Sequence, residues 1–291
     1  MPNLLITGAH SFIGGAVQAR LAEDPRFHVE TVSLRGDGWR KMDLSRYDCV
    51  LHAAGIAHVS PDPSLAPRYE AVNHQLTASF AQRAKEAGVG QFIFLSSMIV
   101  FGEAAPAGVR ARITLNTPAA PANAYGQSKL DAENDLRAME SDAFAVAILR
   151  PPMVYGPGCK GNYNTLVKLA RKLPVFPEFH NDRSMIYVEN LAELIRLIAL
   201  RRDRGTFHPQ DGEPKSVSDI VRAICAAHGK TMRFSRALAP LVRLIGRRGL
   251  ARRAFGDMAY DPAMSAYPEN YRIADFEEAV RRTEGGTPWQ A

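Results

Sequence analysis

Short, dense apolar runs alternate with helical patterns along the first half of the chain. Residues 3–7 form an apolar run closed by Thr7-Gly8, and 12–23 then carry a helical pattern. Residues 29–34 and 48–54 predict two more strands, and the segment between them, 35–47, is too brief for a full crossover helix. Pro61, Pro63 and Pro67 mark a loop. A long helical pattern over 69–87 ends at Gly88, and 91–97 is strongly β. A loop rich in Pro, Ala and Gly spans 102–123, where Asn123 caps the next helix, and 145–149 is a further strand. Strands alternating with helices at this spacing predict an α/β fold with a doubly wound parallel sheet. Beyond Arg150-Pro151-Pro152 the pattern is less regular, with helices expected at 163–172, 190–201, 217–227 and 276–282. The expected division is therefore a sheet domain over 1–150 and a smaller, mostly helical part over 151–291. The second part should lie over the C-terminal edge of the sheet, where ligands of such folds bind.

Chemistry concentrates at three points of this pattern. Tyr125 and Lys129 stand at i and i+4 of the helix capped by Asn123, so both project from one face. An ammonium near a phenol favours phenolate and brings a tyrosine toward proton exchange near neutral pH. Ser96-Ser97 closes a predicted strand, with Ser97 standing 28 residues before the tyrosine. Thr7-Gly8-Ala9-His10-Ser11-Phe12-Ile13-Gly14 joins the first strand to the first helix. Glycines there let the backbone approach a pyrophosphate, and the helix N-terminus offers N–H groups to its charge. Ser11 replaces the usual middle glycine; its Cβ narrows the approach, while its hydroxyl can cap the helix or bond a phosphate. Together these parts predict a dinucleotide-dependent redox site.

Composition narrows the classes. The 291 residues are 46% apolar and 23% charged, ordinary for a globular chain, and no apolar run approaches the ~20 residues of a membrane span. The N-terminus lacks a basic leader and enters a strand at once, so no signal peptide is expected. Cys49, Cys159 and Cys225 form no CxxC pair, which fits a reduced, cytoplasmic protein. The eight histidines show no HxH or HExxH spacing, so no metal site is expected. The net charge of +6 is unevenly placed. From 220 to 256 there is no Asp or Glu, while nine Lys and Arg contribute +9, leaving −3 for the rest of the chain.

Taken together, these segments resemble the extended short-chain dehydrogenase/reductase family of sugar-nucleotide epimerases, dehydratases and ketoreductases, over nearly the whole chain. Residues 7–14 resemble TGxxGFIG, 48–55 the strand ending in Ala53-Ala54-Gly55 at the cofactor, and 96–102 SSxxVYG. Tyr125 and Lys129 match YxxxK, 149–157 resemble RPxxVYGP, and 183–191 resemble RDFIYVxDL. The resemblance implies a Rossmann-like major domain with a smaller, mostly helical substrate domain. It makes Tyr125 the acid/base, with Lys129 lowering its pKa and bonding the nicotinamide ribose, and Ser97 orienting the sugar hydroxyl or carbonyl. It assigns Gly8, Ser11, Phe12, Ile13, Gly14, Ala53, Ala54, Gly55, Asn73 and Pro152 to the cofactor, with Asp43-Leu44 at the adenine. For Asn73, a helix-packing amide is nearly as good a reading as a role positioning the active-site backbone. Arg183 is assigned to the substrate diphosphate and Asn162 to the nucleotide. Dehydratases of the family carry an Asp-Glu pair where Met98 and Ile99 stand here, so dehydration is not expected. Phe101 replaces the tyrosine of VYG.

Cofactor choice rests on the end of the second strand. An acid there would accept both ribose hydroxyls of NAD and repel a 2′-phosphate. The chain has none, and offers Arg35 with Ser33 instead, so NADP(H) is favoured over NAD(H). The leading expectation is C4 epimerisation of a UDP-linked hexose or N-acetylhexosamine, with a lipid-diphosphate sugar left open as carrier. The alternative is an NADPH-dependent 4-keto-sugar reductase, and from another class a non-catalytic dinucleotide sensor. A homodimer is plausible, and no nucleic-acid partner is expected. Residues 236–253 place Leu238, Leu241, Val242 and Ile245 at i, i+3, i+4 and i+7 with arginines off the stripe. That stripe reads either as core packed on the substrate domain or as a contact to an anionic membrane.

Overall fold

The structure, a computed structural model, describes residues 2–56, 62–247 and 249–286; Pro61 of the predicted proline loop and Arg248 of the basic segment lie outside them. β1 (Asn3–Thr7), α1 (Phe12–Ala22), β2 (His28–Val32) and β3 (Cys49–His52) open the chain, with only a 3-10 turn, Gly38–Lys41, between β2 and β3. α2 (Ala66–Tyr69) and α3 (Leu76–Glu86) follow, then β4 (Gln91–Leu95), β5 (Arg112–Ile113), α4 (Ala124–Met139) and β6 (Ala145–Leu149). Next come β7 (Met153–Tyr155), α5 (Asn162–Lys172), β8 (Val175–Pro177), β9 (Met185–Tyr187), α6 (Val188–Arg201) and β10 (Gly205–Phe207). The chain closes with α7 (Val217–Ala227), β11 (Arg233–Ser235), α8 (Ala239–Ile245), α9 (Gly249–Phe255), β12 (Ala259–Tyr260) and α10 (Phe276–Gly285).

Six strands form a parallel sheet in the order β10-β6-β4-β3-β1-β2, with the reversal between β1 and β3 that defines a doubly wound fold. β3, β4 and β6 are buried at every residue because helices cover both faces, which is why they read as unbroken apolar runs. Alternate side chains separate the two halves of the core. Leu4 and Ile6 pack with α1 and α6 through Val17, Leu21, Leu191 and Ile195. Leu5, Val50, Phe92 and Phe94 pack on the other face with α3 and α4 through Phe80 and Leu136.

Two features depart from the pattern read in the sequence. The expected continuous helix over 69–87 carries a π-turn at Glu70–Gln75 between α2 and α3, and this turn holds Asn73. Beyond residue 150, α6 and β10 return to the main sheet, so the second part of the chain is not confined to the substrate side. Among the described residues no helix is long and apolar enough to cross a membrane.

One buried polar group fixes the sheet beneath the site. The His52 ring lies between Thr7 Oγ1 at 3.1 Å and Thr77 Oγ1 at 3.0 Å, and burial first, then the charge of Lys129, push its pKa down to about 3. The folded state thus refuses a proton that an unfolded histidine takes below about pH 6.5. This contribution to stability is present above that pH and is lost as the pH falls from there toward 3. His52→Gln is expected to flatten the decline in urea midpoint between pH 7 and pH 5; an unchanged slope would remove His52 from the acid response.

Candidate active site

The turn after β1 is built for close backbone approach. Gly8 has φ +72°, and a Cβ there would lie 2.7 Å from the Ala54 nitrogen, so only glycine lets the loop touch the end of β3. A Cβ on Gly14 would lie 2.4 Å from the Gly8 carbonyl oxygen. Ser11, the departure from the glycine pattern, uses its hydroxyl as the α1 N-cap, accepting from Gly14 N at 3.1 Å. Its side chain is therefore turned into the helix end. The N–H groups of Phe12 and Ile13, in the first helical turn, remain available to an anion, as at other helix N-termini.

From Ala54 the contacts run on to the tyrosine. Asn73 Oδ1 accepts from Ile56 N at 2.8 Å, and its amide donates to Ile56 O and toward Ser128 Oγ. It ties the strand-end loop to the tyrosine helix. A Cβ on Gly55 would lie 3.0 Å from Asn73 Oδ1 and 3.4 Å from Lys129 Nζ, so these groups crowd one point. Lys129, 5% exposed, donates to Leu95 O at 2.8 Å and lies over the Phe94 ring at 4.7 Å; burial pushes its pKa down to about 8. Asn123 caps α4 by accepting from Gly126 N, as the sequence predicts. Tyr125 is 7% exposed, with its ring 5.7 Å from that of Tyr69.

The expected effect of Lys129 on this tyrosine is not seen. Burial raises the Tyr125 pKa to about 12, the nearby Ser97 hydroxyl pulls against that, and Tyr69 adds to it. The ammonium is instead drawn to the Leu95 carbonyl. Ser97 Oγ also caps the 3-10 turn Met98–Phe101, accepting from Ile99 N at 3.3 Å. Pro152 is buried at the end of β6, where the adjoining Pro151 carbonyl accepts from Met98 N and ties this loop to the serine.

The remaining candidates lie apart from that group. Ser33 and Arg35 follow β2, which is in register with β1 so that Val32 pairs with Thr7 beside the glycine turn. Arg35 is exposed, and its backbone N–H donates to Ser33 Oγ. Asp43 is exposed and accepts from Ser45, while Leu44 is buried in the core. Asn162 begins α5, exposed and without a hydrogen bond to Ser97 or Tyr125. Arg183 is 8% exposed, and its Nη1 donates to Gly256 O at 3.2 Å. Burial pushes its pKa down to about 10, partly offset by Asp257. Among the described residues one of its five donors is used, which leaves the rest for an anionic ligand.

Sequence reasoning passed over Thr7, His52, Thr77 and Ser128, which hold the cradle from beneath. Thr7 and His52 fall inside motif segments that gave them no separate role, and no spacing signal marks Thr77 and Ser128, whose partners His52 and Asn73 are distant in sequence. Met98, 4% exposed, packs with Tyr260 and Met264. Phe101 lies between Tyr260, His208 and the Arg150 guanidinium, so the ring without a hydroxyl is built into an aromatic cluster.

A glycine cradle leading to a buried Tyr-Lys pair with a half-buried serine, on a doubly wound sheet, accords with the family comparison, in which residues 4–209 match the model of the NAD dependent epimerase/dehydratase family. The chain belongs to that family. The UDP-glucose 4-epimerase of Vibrio cholerae is 31% identical over 253 residues, 78% of this chain and 76% of that one. The N-acetyl-alpha-D-glucosaminyl-diphospho-ditrans,octacis-undecaprenol 4-epimerase of Escherichia coli O157:H7 is 29% identical over 212 residues, 67% of this chain and 62% of that one. Among solved structures, the Thermus thermophilus UDP-glucose 4-epimerase in complex with NAD superposes with a TM-score of 0.72 at 19% identity, over 97% of each chain. Family members of this kind are sugar-nucleotide epimerases, dehydratases and reductases, and the extended short-chain dehydrogenase/reductase resemblance holds.

Proposed function

We propose that the protein interconverts the C4 epimers of a UDP-linked hexose or N-acetylhexosamine, using a bound NAD-type dinucleotide. The meeting of Ser97 and Tyr125 beside Lys129, at the end of a cradle that begins at Gly8, carries this reading. The 4-epimerases among the relatives support it. The residues present fit such a cofactor. Gly8 and Gly14 carry no Cβ where one would strike the Ala54 backbone or the Gly8 carbonyl, the N–H groups of Phe12 and Ile13 would be open to its phosphates, and Lys129 and Asn73 would lie toward its ribose. When bound, it would accept the C4 hydrogen with its electron pair and return it to the opposite face of the sugar. Tyr125 would act as phenolate, the form that the positive charge of the oxidised dinucleotide would favour, taking the C4-hydroxyl proton and giving it back; Ser97 would hold the same oxygen, and Arg183 would hold the diphosphate. With Met98 and Ile99 in place of a carboxylate pair, dehydration has no acid/base to carry it.

A second reading, reduction of a 4-keto sugar nucleotide by NADPH, is favoured by Arg35 and by the lack of an acid at the end of β2. Incubation with UDP-glucose, UDP-N-acetylglucosamine and a UDP-4-keto-6-deoxy sugar, each with and without NADPH, separates the two. Epimers formed without net cofactor use support the first; stoichiometric NADPH oxidation supports the second. Dinucleotide binding with no turnover of any of them would make the protein a sensor.

NADP(H) is expected to bind at least as well as NAD(H). Arg35→Ala should weaken NADP(H) by roughly 1.5–3 kcal/mol, the scale of a charged hydrogen bond, and NAD(H) by much less. Titration calorimetry with both cofactors checks this. Equal losses would show that Arg35 does not read the 2′ position.

A further inference from the structure

The exposed side of residues 236–253 has no part in the proposed reaction. The stripe of Leu238, Leu241, Val242 and Ile245 would ordinarily be core. Here the segment is a 3-10 turn, Arg236–Leu238, followed by the two seven-residue helices α8 and α9. Of the stripe only Val242 is buried, against Ala107 and Phe179. The helices part at Gly246, where a Cβ would lie 2.4 Å from that of Ala107, and Ala107 N donates to Gly246 O at 2.9 Å. Thus α8 is held to the body of the protein by Val242 and Ala239, by the Arg243 stem beside Gly108, and by the backbone contact at Gly246. Leu241, Leu244 and Ile245 are left 53%, 69% and 51% exposed, at i, i+3 and i+4 on one face. Three of the seven large apolar side chains exposed among the described residues lie within these five positions.

Within residues 220–256 every charged side chain is basic. Arg233, Arg236, Arg243, Arg247 and Arg253 are exposed, and none forms an ion pair among the described residues. Arg222 and Arg252, by contrast, pair with Glu178 and Glu103. The 3-10 turn packs on β8. Beside that strand an open groove of about 420 Å³, lined by Lys172, Val175, Lys230 and Arg233, extends the positive surface. Exposed leucine and isoleucine flanked by unpaired arginines match a surface with anionic headgroups above an apolar layer. Single-stranded nucleic acid fits less well, because Phe234 and Phe255 pack against Phe176 and are not offered for stacking.

We propose that α8 docks the protein on an anionic lipid bilayer, with Leu241, Leu244 and Ile245 entering the interface and the arginines meeting the headgroups. This goes beyond the proposed reaction and does not depend on it. Co-sedimentation with phosphatidylglycerol and phosphatidylcholine vesicles tests it. The wild type should pellet with the first at low salt and stay in solution with the second. Leu241→Ser with Leu244→Ser, at exposed positions that leave the fold intact, should lower the bound fraction at least ~10-fold, as should Arg243→Glu with Arg247→Glu. Wild-type protein remaining in solution with phosphatidylglycerol overturns the proposal. Undiminished binding of the serine variant also overturns it, since the contact would then be charge alone, of the kind nucleic acid also satisfies. A vesicle-free dimer that the serine pair dissolves, with no pelleting, would give the face to a second copy of the chain instead.

Discussion

Tyr125→Phe is expected to lower turnover at least ~10²-fold, the scale for losing a positioned acid/base, with dinucleotide binding retained. The substitution removes one hydroxyl from a ring held by Tyr69 and the α4 backbone, so the cradle from Gly8 to Asn73 is untouched. Lys129→Ala should damage both turnover and binding, because its ammonium stands at Gly55 and Asn73, where the cofactor ribose is proposed to lie. Initial rates beside a fluorescence titration of the dinucleotide separate the two effects. Near-normal turnover in Tyr125→Phe would remove the proposed mechanism.

The second large effect is on stability. Glu133 is fully buried on α4 and accepts from Ser96 Oγ at 2.5 Å, from Arg150 Nε at 2.9 Å and Nη2 at 2.5 Å, and from Arg137 at 2.7 Å. Burial alone would raise its pKa, but the hydrogen bond and charge of Arg150, with Ser96 and Arg137, hold it below the usual carboxylate range. Arg150→Met would leave that buried carboxylate only Ser96 and the half-exposed Arg137, at a cost of up to about 3–5 kcal/mol. Replacing both, Glu133→Leu with Arg150→Met, should cost less than the single change, because no buried charge is then stranded. Since the folded pKa lies below the unfolded value of about 4.3, this contribution is complete above that pH and lost as the pH falls through the folded value. Urea midpoints of the three proteins check it. A loss under about 1 kcal/mol in Arg150→Met would show the pair to be solvated.

Much of the fold was legible because its signals are local. β1, β6 and α7 fall where the apolar runs and helical periodicity put them, and Ser11 and Asn123 cap the helices that they precede. The π-turn at Glu70–Gln75 was not legible, since it depends on Asn73 reaching across to Ile56 and Ser128. Equally hidden was the pull of Leu95 on Lys129. The i, i+4 spacing places the two side chains on one face, but a strand carbonyl 34 residues away in sequence decides where the ammonium goes. The fate of the 236–253 stripe followed from tertiary contact too, because Ala107 and Phe179 bury only Val242 of the four stripe residues.

Epimerisation at C4 by an internal exchange makes one demand that no other proposed activity shares. The hydrogen at C4 must leave and return within a single site. UDP-glucose and UDP-N-acetylglucosamine carrying deuterium at C4 should therefore give their C4 epimers with the deuterium retained at C4, in unlabelled water and without added reductant. Mass spectrometry and proton NMR of the separated epimers read this directly. Loss of deuterium to solvent in the epimer, or no epimer from either sugar while NADPH is consumed on a 4-keto substrate, would contradict the account.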